Sequence, residues 1–457
     1  MREYHMKRRT LLAAMGASVM TPVQAKDMTD QAAETGWQNW SRSIAPQKAD
    51  IVVPQDVATL KKLIGETAGG VRPVGSGHSW TGLVPCDGAI VKLDHFSAVR
   101  AVDTQAQTAW LGAGARLKDL SPVLAEHGLA FRNLGDIDVQ SLAGAISTAT
   151  HGTGRELPCL AAEISGLRMV TGAGEEVEIS AAQNADMLPA AQVALGALGI
   201  CTEIQMKLVA RHKLHRRVWF DPYDKVLADS EKLWRDNRNF EFFYLPFSGQ
   251  AMCITHNITE AEAAPRASDK GNDGVMQLKA LRDWLGWFPY LRKKLLSAAI
   301  ADAPEEDVVG ESWQLLSSPR NVHFNEMEFH LPPDRALEAL EAVRTHIERY
   351  RRDVFFPFEC RMTAGDKAWL SPFNAGPRIS IAVHTHAPDE YEFLFTEIEP
   401  IFRSYGGRPH WGKLNRFSGD DMRAIYPKFD DFAKLRAEFD PKGRLLNPYL
   451  RNLFGLA

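Results

Sequence analysis

The chain has 457 residues, 45% of them hydrophobic, which is enough for two to four domains with apolar cores. A formal net charge of -4 is small for this length and gives no reason to expect nucleic acid or an anionic membrane as a partner. The five cysteines are odd in number, widely spaced and lack a C-x-x-C pair, so neither a disulfide framework nor a zinc site is indicated, and one disulfide is left open.

Residues 1–25 have the order of a signal peptide. Lys7-Arg8-Arg9 precedes the apolar run TLLAAMGASVM, and Val23-Gln24-Ala25 supplies small residues for cleavage. The paired arginines predict twin-arginine export, which moves folded proteins to the periplasm, with peripheral membrane association as a further option. An uncleaved leader or a short membrane anchor is the alternative. No later stretch reaches the ~20 apolar residues of a membrane span, so we expect none in the mature chain.

The first domain is predicted over residues 45–212 and begins with a short strand at Ile51. Residues 56–68 follow as an amphipathic helix with its apolar side chains on one face. Next come two apolar segments joined by Gly75-Ser76-Gly77-His78 and a turn rich in glycine and proline, which indicates strand, loop, strand. Glycines let bare amides approach an anion such as a pyrophosphate. The third glycine of a Rossmann fingerprint is missing, because position 80 is Trp80.

The rest of this domain contains further stretches of small residues. A strand runs into Gly112-Ala113-Gly114, and a helix is predicted from Leu117 to His127. The segment 135–154 is crowded with glycine, alanine, serine and threonine, so main chain can lie against a flat or extended ligand there. Close helix packing would use the same residues. A hairpin with its turn at Gly172-Ala173-Gly174 and a long strand then close the domain.

The second domain, predicted over residues 213–438, is richer in aromatic side chains. Helical stretches such as 335–351 alternate with strands such as 322–331, which is an α+β pattern. In the strand around FFPFECRMT, Glu359 and Arg361 are two residues apart and face the same side. Taken alone they are best explained as a salt bridge.

Two further motifs near the C-terminus carry candidate chemistry. ISIAVHTH places His384 and His386 on one face of a strand, and Pro409-His410-Trp411-Gly412-Lys413 follows a Gly-Gly turn. The histidines as a metal cluster are a competing interpretation, but no H-E-x-x-H or similar spacing supports it, so no metal site is predicted. Residues 439–457 are rich in turn signals and are expected to return to the first domain.

Together these motifs resemble the sugar-1,4-lactone oxidase and alditol oxidase branch of the vanillyl-alcohol oxidase family. The resemblance runs from about Val52 to the C-terminus. It implies an α+β fold, with a PCMH-type FAD-binding domain and an α+β substrate domain like that of D-arabinono-1,4-lactone oxidase. It also implies FAD attached covalently through His78. The implied flavin contacts are Gly75, Ser76, Gly77, His78, Ser79, Gly112, Gly114, Ala143, Gly144, Ser147, Thr150, His151, Gly152, Gly199 and Ile200.

The resemblance places four side chains at the reacting centre: Glu359, Arg361, His384 and Lys413. Hydride transfer from an alcohol to flavin N5 needs a proton acceptor and cations that hold negative charge. Glu359 can bind the reacting hydroxyl, and Arg361 can stabilise charge on the flavin. Lys413 can serve in either role, and His384 is the alternative base. His386 and His410 are weaker candidates.

The predicted function is oxidation of a sugar-derived alcohol, an aldono-1,4-lactone or an alditol, with O2 as acceptor. Two alternatives stay open at this point. One is a dehydrogenase that passes electrons to a quinone or cytochrome, and the other is a non-catalytic exported carbohydrate-binding protein. If Arg361 acts on chemistry alone, its truncation should slow the reaction and barely affect stability.

Overall fold

The computed structural model describes residues 36–45, 48–263, 271–301 and 305–456. The predicted signal peptide therefore lies outside the described residues. Within the described residues, none of the helices combines the length and the apolar character that a membrane crossing requires. All five cysteines are free, so the disulfide left open by the sequence does not form.

The first domain begins with a three-stranded parallel sheet and one helix. Its strands are β1 (Asp50–Val52), β2 (Val71–Val74) and β3 (Ala89–Lys92), in the order β1-β3-β2. Helix α1 (Val57–Glu66) starts at Asp56, whose Oδ1 accepts the Thr59 N–H at 2.7 Å and caps the helix. Leu60 and Ile64 are its buried positions, as the predicted apolar face required.

A five-stranded antiparallel sheet completes the core of this domain in the order β4-β5-β9-β7-β8. The strands are β4 (Val99–Asp103), β5 (Thr108–Gly112), β7 (Ile164–Thr171), β8 (Glu176–Ser180) and β9 (Gly199–Lys207); β6 (Leu129–Ala130) and β10 (Val209–Ala210) pair separately. The helices are α2 (Leu117–Glu126), α3 (Leu142–Ser147) and α4 (Leu188–Ala191). Gly174, in the predicted hairpin turn, has φ +82°, which favours glycine.

The second domain is built on an eight-stranded antiparallel sheet. Its strands are β11 (Lys213–Pro222), β12 (Asn239–Leu245), β13 (Gln250–Thr259), β14 (Glu306–Glu311), β15 (Phe324–Leu331), β16 (Phe358–Thr363), β17 (Arg378–His386) and β18 (Arg408–Pro409). The order is β14-β11-β13-β12-β16-β17-β15-β18. Helices and strands alternate along this domain, so the predicted α+β class is confirmed.

The two faces of this sheet have different roles. On one face, apolar side chains such as Phe242 and Phe329 pack against α5 (Tyr223–Asp236) and α9 (Pro333–Tyr350). The opposite face carries the polar side chains of the candidate site. Because side chains alternate along a strand, each strand supplies both faces at once.

Two helices, α6 (Gly271–Leu285) and α7 (Pro289–Ala301), form a hairpin. It lies near β11 and β13, which belong to one end of the eight-stranded sheet. The hairpin is held by hydrogen bonds to main-chain carbonyls. Arg292 is buried and donates to the carbonyls of Arg352 and Val354 at 3.1 and 3.0 Å, and Arg282 donates to that of Asp353 at 3.0 Å.

The C-terminal segment packs on the first domain. The Val71 N–H donates to the Arg444 carbonyl at 2.8 Å, and Asn447 Nδ2 donates to the carbonyls of Gly82 and Pro85 at 2.7 Å. The remaining short helices are α8 (Ser312–Leu316), α10 (Glu399–Ser404), α11 (Gly419–Ile425), α12 (Phe429–Phe439) and α13 (Pro448–Leu453). Side chains of α11, α12 and α13 share the first domain's apolar core. The division at residues 438 and 439 stays a prediction.

Candidate active site

A cavity of about 1020 Å³ is lined by residues of both domains. This volume is at the upper end of the range for ligand pockets, which suits a large cofactor together with a substrate. The first domain lines one side of the cavity with glycine residues and with the hydroxyl groups of serine and threonine. The second domain supplies the polar face of its sheet.

Most of the predicted flavin contacts line this cavity: Gly75, Ser76, Gly77, His78, Ser79, Gly114, Ala143, Gly144, Ser147, Thr150 and His151. Two loops form the wall by close approach. A Cβ at Gly75 would collide with Ser141, which caps α3 by accepting the Gly144 N–H at 3.3 Å. Gly77 has φ +71°, so the turn before His78 favours glycine. The glycines are thus required by the geometry of the wall.

The remaining four predicted flavin contacts, Gly112, Gly152, Gly199 and Ile200, do not line the cavity. Each has a packing reason for its residue type. A Cβ at Gly112 would meet the Phe96 carbonyl carbon at 2.6 Å, one at Gly152 would meet Asn133 Nδ2 at 2.9 Å, and one at Gly199 would meet Met169 Sδ at 2.7 Å. Ile200 is fully buried in β9, where it pairs with Val170. Leu195 and Gly196, just before this strand, line the cavity instead.

His78 stacks on Trp40, with the ring centroids 4.8 Å apart. Burial, with the nearby charge of Lys413, lowers the pKa of the His78 imidazole to about 4. The ring is therefore neutral near pH 7 and keeps a nitrogen lone pair. A neutral imidazole is the form that can act as a nucleophile.

Six polar side chains lie on the cavity face of the second domain's sheet: Glu241, Glu326, Glu328, Glu359, Arg361 and His384. The register brings them together, because Glu241 lies opposite Arg361 and Glu326 lies opposite His384. Asp136 and Lys413 reach the same centre from neighbouring loops, and both line the cavity. The structure therefore brings all four predicted catalytic residues into one cavity.

Arg361 is the electrostatic centre of this group. Its Nη2 donates to Glu328 Oε1 at 2.7 Å, and its Nη1 lies 3.6 Å from Asp136 Oδ1. Its Nε is 3.2 Å from Glu359 Oε1, but the angle is not that of a hydrogen bond, and neither atom has a hydrogen-bond partner among the described residues. Both residues line the cavity, while these two atoms themselves are buried against each other.

Three carboxyl groups near Arg361, those of Glu359, Glu241 and Asp136, differ in the direction of their pKa shifts. Burial, together with the charges of Asp136 and Glu241, raises the pKa of Glu359 well above its ordinary value despite Arg361. Burial also raises the pKa of Glu241 to about 8. Burial opposes ionisation of Asp136 as well, but Arg361 holds its pKa below the ordinary value. Glu359 is therefore a neutral carboxylic acid near pH 7 and can donate a hydrogen bond.

A second charge group joins Glu326, Lys413 and His384. Burial opposes ionisation of Glu326, but Lys413 and His384 lower its pKa to about 2, and Lys413 Nζ forms an ion pair with it. His384 Nδ1 lies 3.1 Å from the Pro357 carbonyl, so it carries a proton and donates it there. The other ring nitrogen, Nε2, lies 3.6 Å from Glu326 Oε1.

Histidines also gather around Glu328. Ligand atoms of His151, Glu328 and His410 lie within 4.8 Å of one another, a spacing that could hold a metal ion. However, Arg361 already pairs with the same Glu328 oxygen that lies 3.1 Å from His151 Nε2. A cation there would be repelled by the guanidinium, so the donor set suits hydrogen bonding better than metal binding. His386, the other weak candidate, does not line the cavity.

Sequence reasoning missed four acidic side chains of the centre: Asp136, Glu241, Glu326 and Glu328. A signal existed for two of them. Glu326, Glu328 and His330 recur with period two in a strand whose other positions are mostly apolar, which indicates a polar, buried face. Asp136 and Glu241 have no such pattern, because their proximity to Arg361 arises only from tertiary packing.

Comparison with known proteins agrees with this geometry. Residues 51–180 match the FAD binding domain family, and residues 204–453 match the D-arabinono-1,4-lactone oxidase family. A relative from Mycobacterium tuberculosis, L-gulono-1,4-lactone dehydrogenase, is 32% identical over 430 residues, covering 92% of this chain and 99% of the relative. Alditol oxidase from a Streptomyces strain is 26% identical over 441 residues, covering 91% of this chain and 98% of that protein.

The fold also matches a solved structure. Cholesterol oxidase from Brevibacterium sterolicum superposes with a TM-score of 0.77 at 18% identity, covering 92% of this chain and 96% of that one. Fold and site thus define an FAD-dependent oxidoreductase. The chain belongs to the D-arabinono-1,4-lactone oxidase family, whose profile matches more than half of it.

The first domain's wall fits FAD. It offers glycine amides and hydroxyl groups in the loop 75–79 and in the segment 141–150, which includes α3, and Gln140 has a buried Oε1 without a hydrogen-bond partner among the described residues. A cofactor with amide, hydroxyl and phosphate groups would use these donors and acceptors. His78 would hold the cofactor at the same wall.

Proposed function

We propose that the protein oxidises a secondary or primary alcohol of a sugar-derived substrate, with O2 as the electron acceptor. The substrate is an aldono-1,4-lactone, such as D-arabinono- or L-gulono-1,4-lactone, or an alditol. The names of the relatives support both substrate classes. The observation that carries the proposal is the cluster of Glu359, Arg361, His384 and Lys413 in one cavity.

Bound FAD supplies the acceptor for the hydride from the substrate carbon. His384 accepts the hydroxyl proton at Nε2, because its Nδ1 is held by the Pro357 carbonyl. Glu359 donates a hydrogen bond to a substrate oxygen, since its raised pKa keeps the proton on it. Arg361 and Lys413 balance negative charge as the proton leaves.

The polar centre favours a substrate with many hydroxyl groups. Buried donors and acceptors that a ligand leaves unpaired cost binding free energy, so such a site rejects apolar alcohols strongly. A lactone or polyol has hydroxyl groups that can pair with the polar side chains lining this cavity, Glu359 and Arg361 among them.

The test is anaerobic mixing of the purified holoprotein with L-gulono-1,4-lactone, D-arabinono-1,4-lactone or xylitol. We expect at least one of them to bleach the flavin absorbance, and a simple aliphatic alcohol to leave it unchanged. A colourless protein would favour the carbohydrate-binding alternative. A yellow protein that none of the three substrates bleaches would contradict the proposed substrates.

A second candidate is a dehydrogenase of the same substrates, favoured by the name of the 32% identical relative. Admitting oxygen to the reduced protein distinguishes the two. An oxidase regains its yellow colour within the turnover time. A dehydrogenase recovers slowly in oxygen and quickly with a quinone or with cytochrome c.

We also propose that FAD is covalently bound through His78. The neutral imidazole in the cavity wall supports this attachment. Acid precipitation of the wild-type protein should leave yellow flavin in the pellet, and His78→Ala should release it into the supernatant. Flavin in the wild-type supernatant would contradict the covalent bond and leave non-covalent FAD binding intact.

We further propose export through a twin-arginine signal in residues 1–25, supported by Arg8-Arg9 and the short apolar run. Arg8→Lys combined with Arg9→Lys should trap uncleaved precursor in the cytoplasm. Cell fractionation measures this, and normal export of the double variant would reject the route.

A further inference from the structure

The hairpin of α6 and α7 exposes aromatic side chains at its tip. Trp284 is 80% exposed, Trp287 86%, Phe288 63% and Tyr290 83%. Of the eleven exposed large hydrophobic side chains in the described residues, seven belong to this hairpin: Met276, Trp284, Trp287, Phe288, Tyr290, Leu291 and Leu295. Scattered exposed apolar residues are normal, but a concentration of this kind marks an interaction surface.

The tip is not explained by packing within the chain, because the hairpin already has an apolar inner face. Val275, Leu278 and Leu281 of α6 line the site cavity, and so do Leu296 and Ile300 of α7. A surface helix normally has one apolar stripe, directed at the core. This hairpin has a second apolar surface that faces outward.

Charge identifies the partner. The hairpin carries five basic and two acidic residues, but Arg292 is buried, Lys279 and Arg282 both pair with Asp283, and Arg282 also pairs with Asp389. Lys293 and Lys294 are exposed. Pairing this face with the same face of a second copy would bring like charges together, whereas an anionic lipid surface would attract them.

We propose that the tip of the α6–α7 hairpin docks the protein on an anionic lipid bilayer. Tryptophan and tyrosine rings favour the boundary between headgroups and acyl chains, with phenylalanine and leucine inserted below them. Exposed lysines beside them would contact lipid phosphates. Since the same helices line the site cavity, docking brings one wall of the cavity next to the bilayer.

The experiment is flotation of the full-length holoprotein with vesicles of phosphatidylcholine and phosphatidylglycerol, against vesicles of phosphatidylcholine alone. We expect the wild-type protein to float with the anionic vesicles. The combined change Trp284→Ser, Trp287→Ser and Phe288→Ser should lower the partition coefficient about tenfold or more, because each ring loses its burial in lipid. Lys293→Glu with Lys294→Glu should remove the preference for anionic lipid.

Tyr350→Ser is the matched control, because Tyr350 is 59% exposed on α9, outside the hairpin. It should float like the wild type. Equal flavin absorbance and melting temperature in all variants show that the fold is intact. Equal flotation of wild type and triple variant would overturn the proposal, as would a concentration-dependent dimer that the triple variant abolishes without any vesicle binding. None of these readouts depends on the substrate.

Discussion

Arg361 combines a candidate catalytic role with a structural one. Its side chain is 7% exposed and lies within 3.6 Å of three carboxyl groups. The expectation that its truncation would barely affect stability is therefore untenable, because removing one partner of a buried ion pair costs about 3–5 kcal/mol. Melting temperature alone no longer separates chemistry from folding for Arg361→Ala.

Arg361→Lys separates them. Lysine keeps the positive charge among the carboxylates but loses the planar fork of donors. We expect most of the stability to be retained, while the rate of flavin reduction by substrate falls about 10²- to 10³-fold, as when one charge-stabilising donor is removed. Stopped-flow absorbance and thermal unfolding on the same sample measure both. A destabilised variant that reduces its flavin at the wild-type rate would assign Arg361 to folding only.

Two glutamates in the same cavity should respond in opposite ways to amidation. Glu359 has a raised pKa and is a neutral donor, so Glu359→Gln keeps a donor at that place and should slow flavin reduction less than tenfold. Glu326 is ionised against Lys413, so Glu326→Gln removes the partner of a buried cation and should cost more than tenfold. Parallel single-turnover measurements compare the two; a larger loss in Glu359→Gln would mean that Glu359 acts as a carboxylate.

Glu241 predicts a pH dependence of stability. Its pKa is raised from 4.5 to about 8 by burial, with Asp136 adding to the effect, so the folded protein keeps a proton that the unfolded chain releases. Its contribution to the free energy of unfolding therefore falls as pH rises from about 4.5 to about 8, by at most about 1.4 kcal/mol per pH unit.

Glu241→Gln removes this proton. Relative to wild type, the variant should gain stability as pH rises from 5 to 8 and show no further gain above that. Denaturant unfolding of both proteins at pH 5, 6.5 and 8 gives the comparison. A difference between the two that is independent of pH would show that Glu241 titrates normally.

At the scale of elements, the second domain's sheet separates stability from chemistry by its two faces. Strand β15 shows the rule, since Glu326 and Glu328 face the cavity while Met327 and Phe329 face the helices. Successive side chains of a strand point to opposite faces of the sheet, so a single strand supplies both the cavity face and the helix face. Substitutions on the helix side should change folding and leave the chemistry of folded molecules alone.

Leu340→Ala in α9 tests this separation. Leu340 is fully buried against the apolar face of the sheet, so its truncation should cost about 2–5 kcal/mol of unfolding free energy. The flavin reduction rate per folded molecule should stay at the wild-type value. Glu338→Ala on the exposed side of the same helix is the control and should cost about 0.5 kcal/mol or less. A large rate change in Leu340→Ala would show that the two faces are coupled.

At the scale of the whole molecule, Arg72 joins distant parts of the chain. Its buried guanidinium donates to the carbonyl of Leu83, to those of Leu195 and Gly196 at the cavity, and to that of Leu445 in the C-terminal segment, at 2.6 to 2.9 Å. Burial lowers its pKa to about 10, which still leaves it charged at neutral pH. One side chain thus fixes the C-terminal segment and a cavity loop together.

Arg72→Met should cost about 3 kcal/mol or more, because several buried carbonyl groups lose their donor at once. It should also weaken flavin retention, since Leu195 and Gly196 line the cavity. Denaturant unfolding and the ratio of flavin to protein absorbance measure the two effects. Arg423→Met, at an exposed ion pair, is the matched control and should change neither. Normal stability of Arg72→Met would refute the joining role.

The sequence by itself determined the features that are local along the chain. The period of apolar residues predicted α1 and α9, glycine turns predicted the β7–β8 hairpin, and spacing of two put Glu359 and Arg361 on one face. The family motifs indicated FAD and the four residues that the cavity brings together. The helices, the hairpin and the shared strand face depend only on neighbouring residues, whose side chains follow the periods of helices and strands.

Only the tertiary structure decided the properties that arise between distant segments. The raised pKa of Glu359 depends first on its burial and then on the charges of Asp136 and Glu241, which lie far away in sequence. Gly199 lies at the start of β9, packed beside Met169 and not at the cavity, which only the folded chain shows. The net charge of -4 does not reveal the exposed lysines of the α6–α7 hairpin. Only the fold shows that the aromatic side chains at the hairpin tip are exposed, because exposure depends on what the rest of the chain covers.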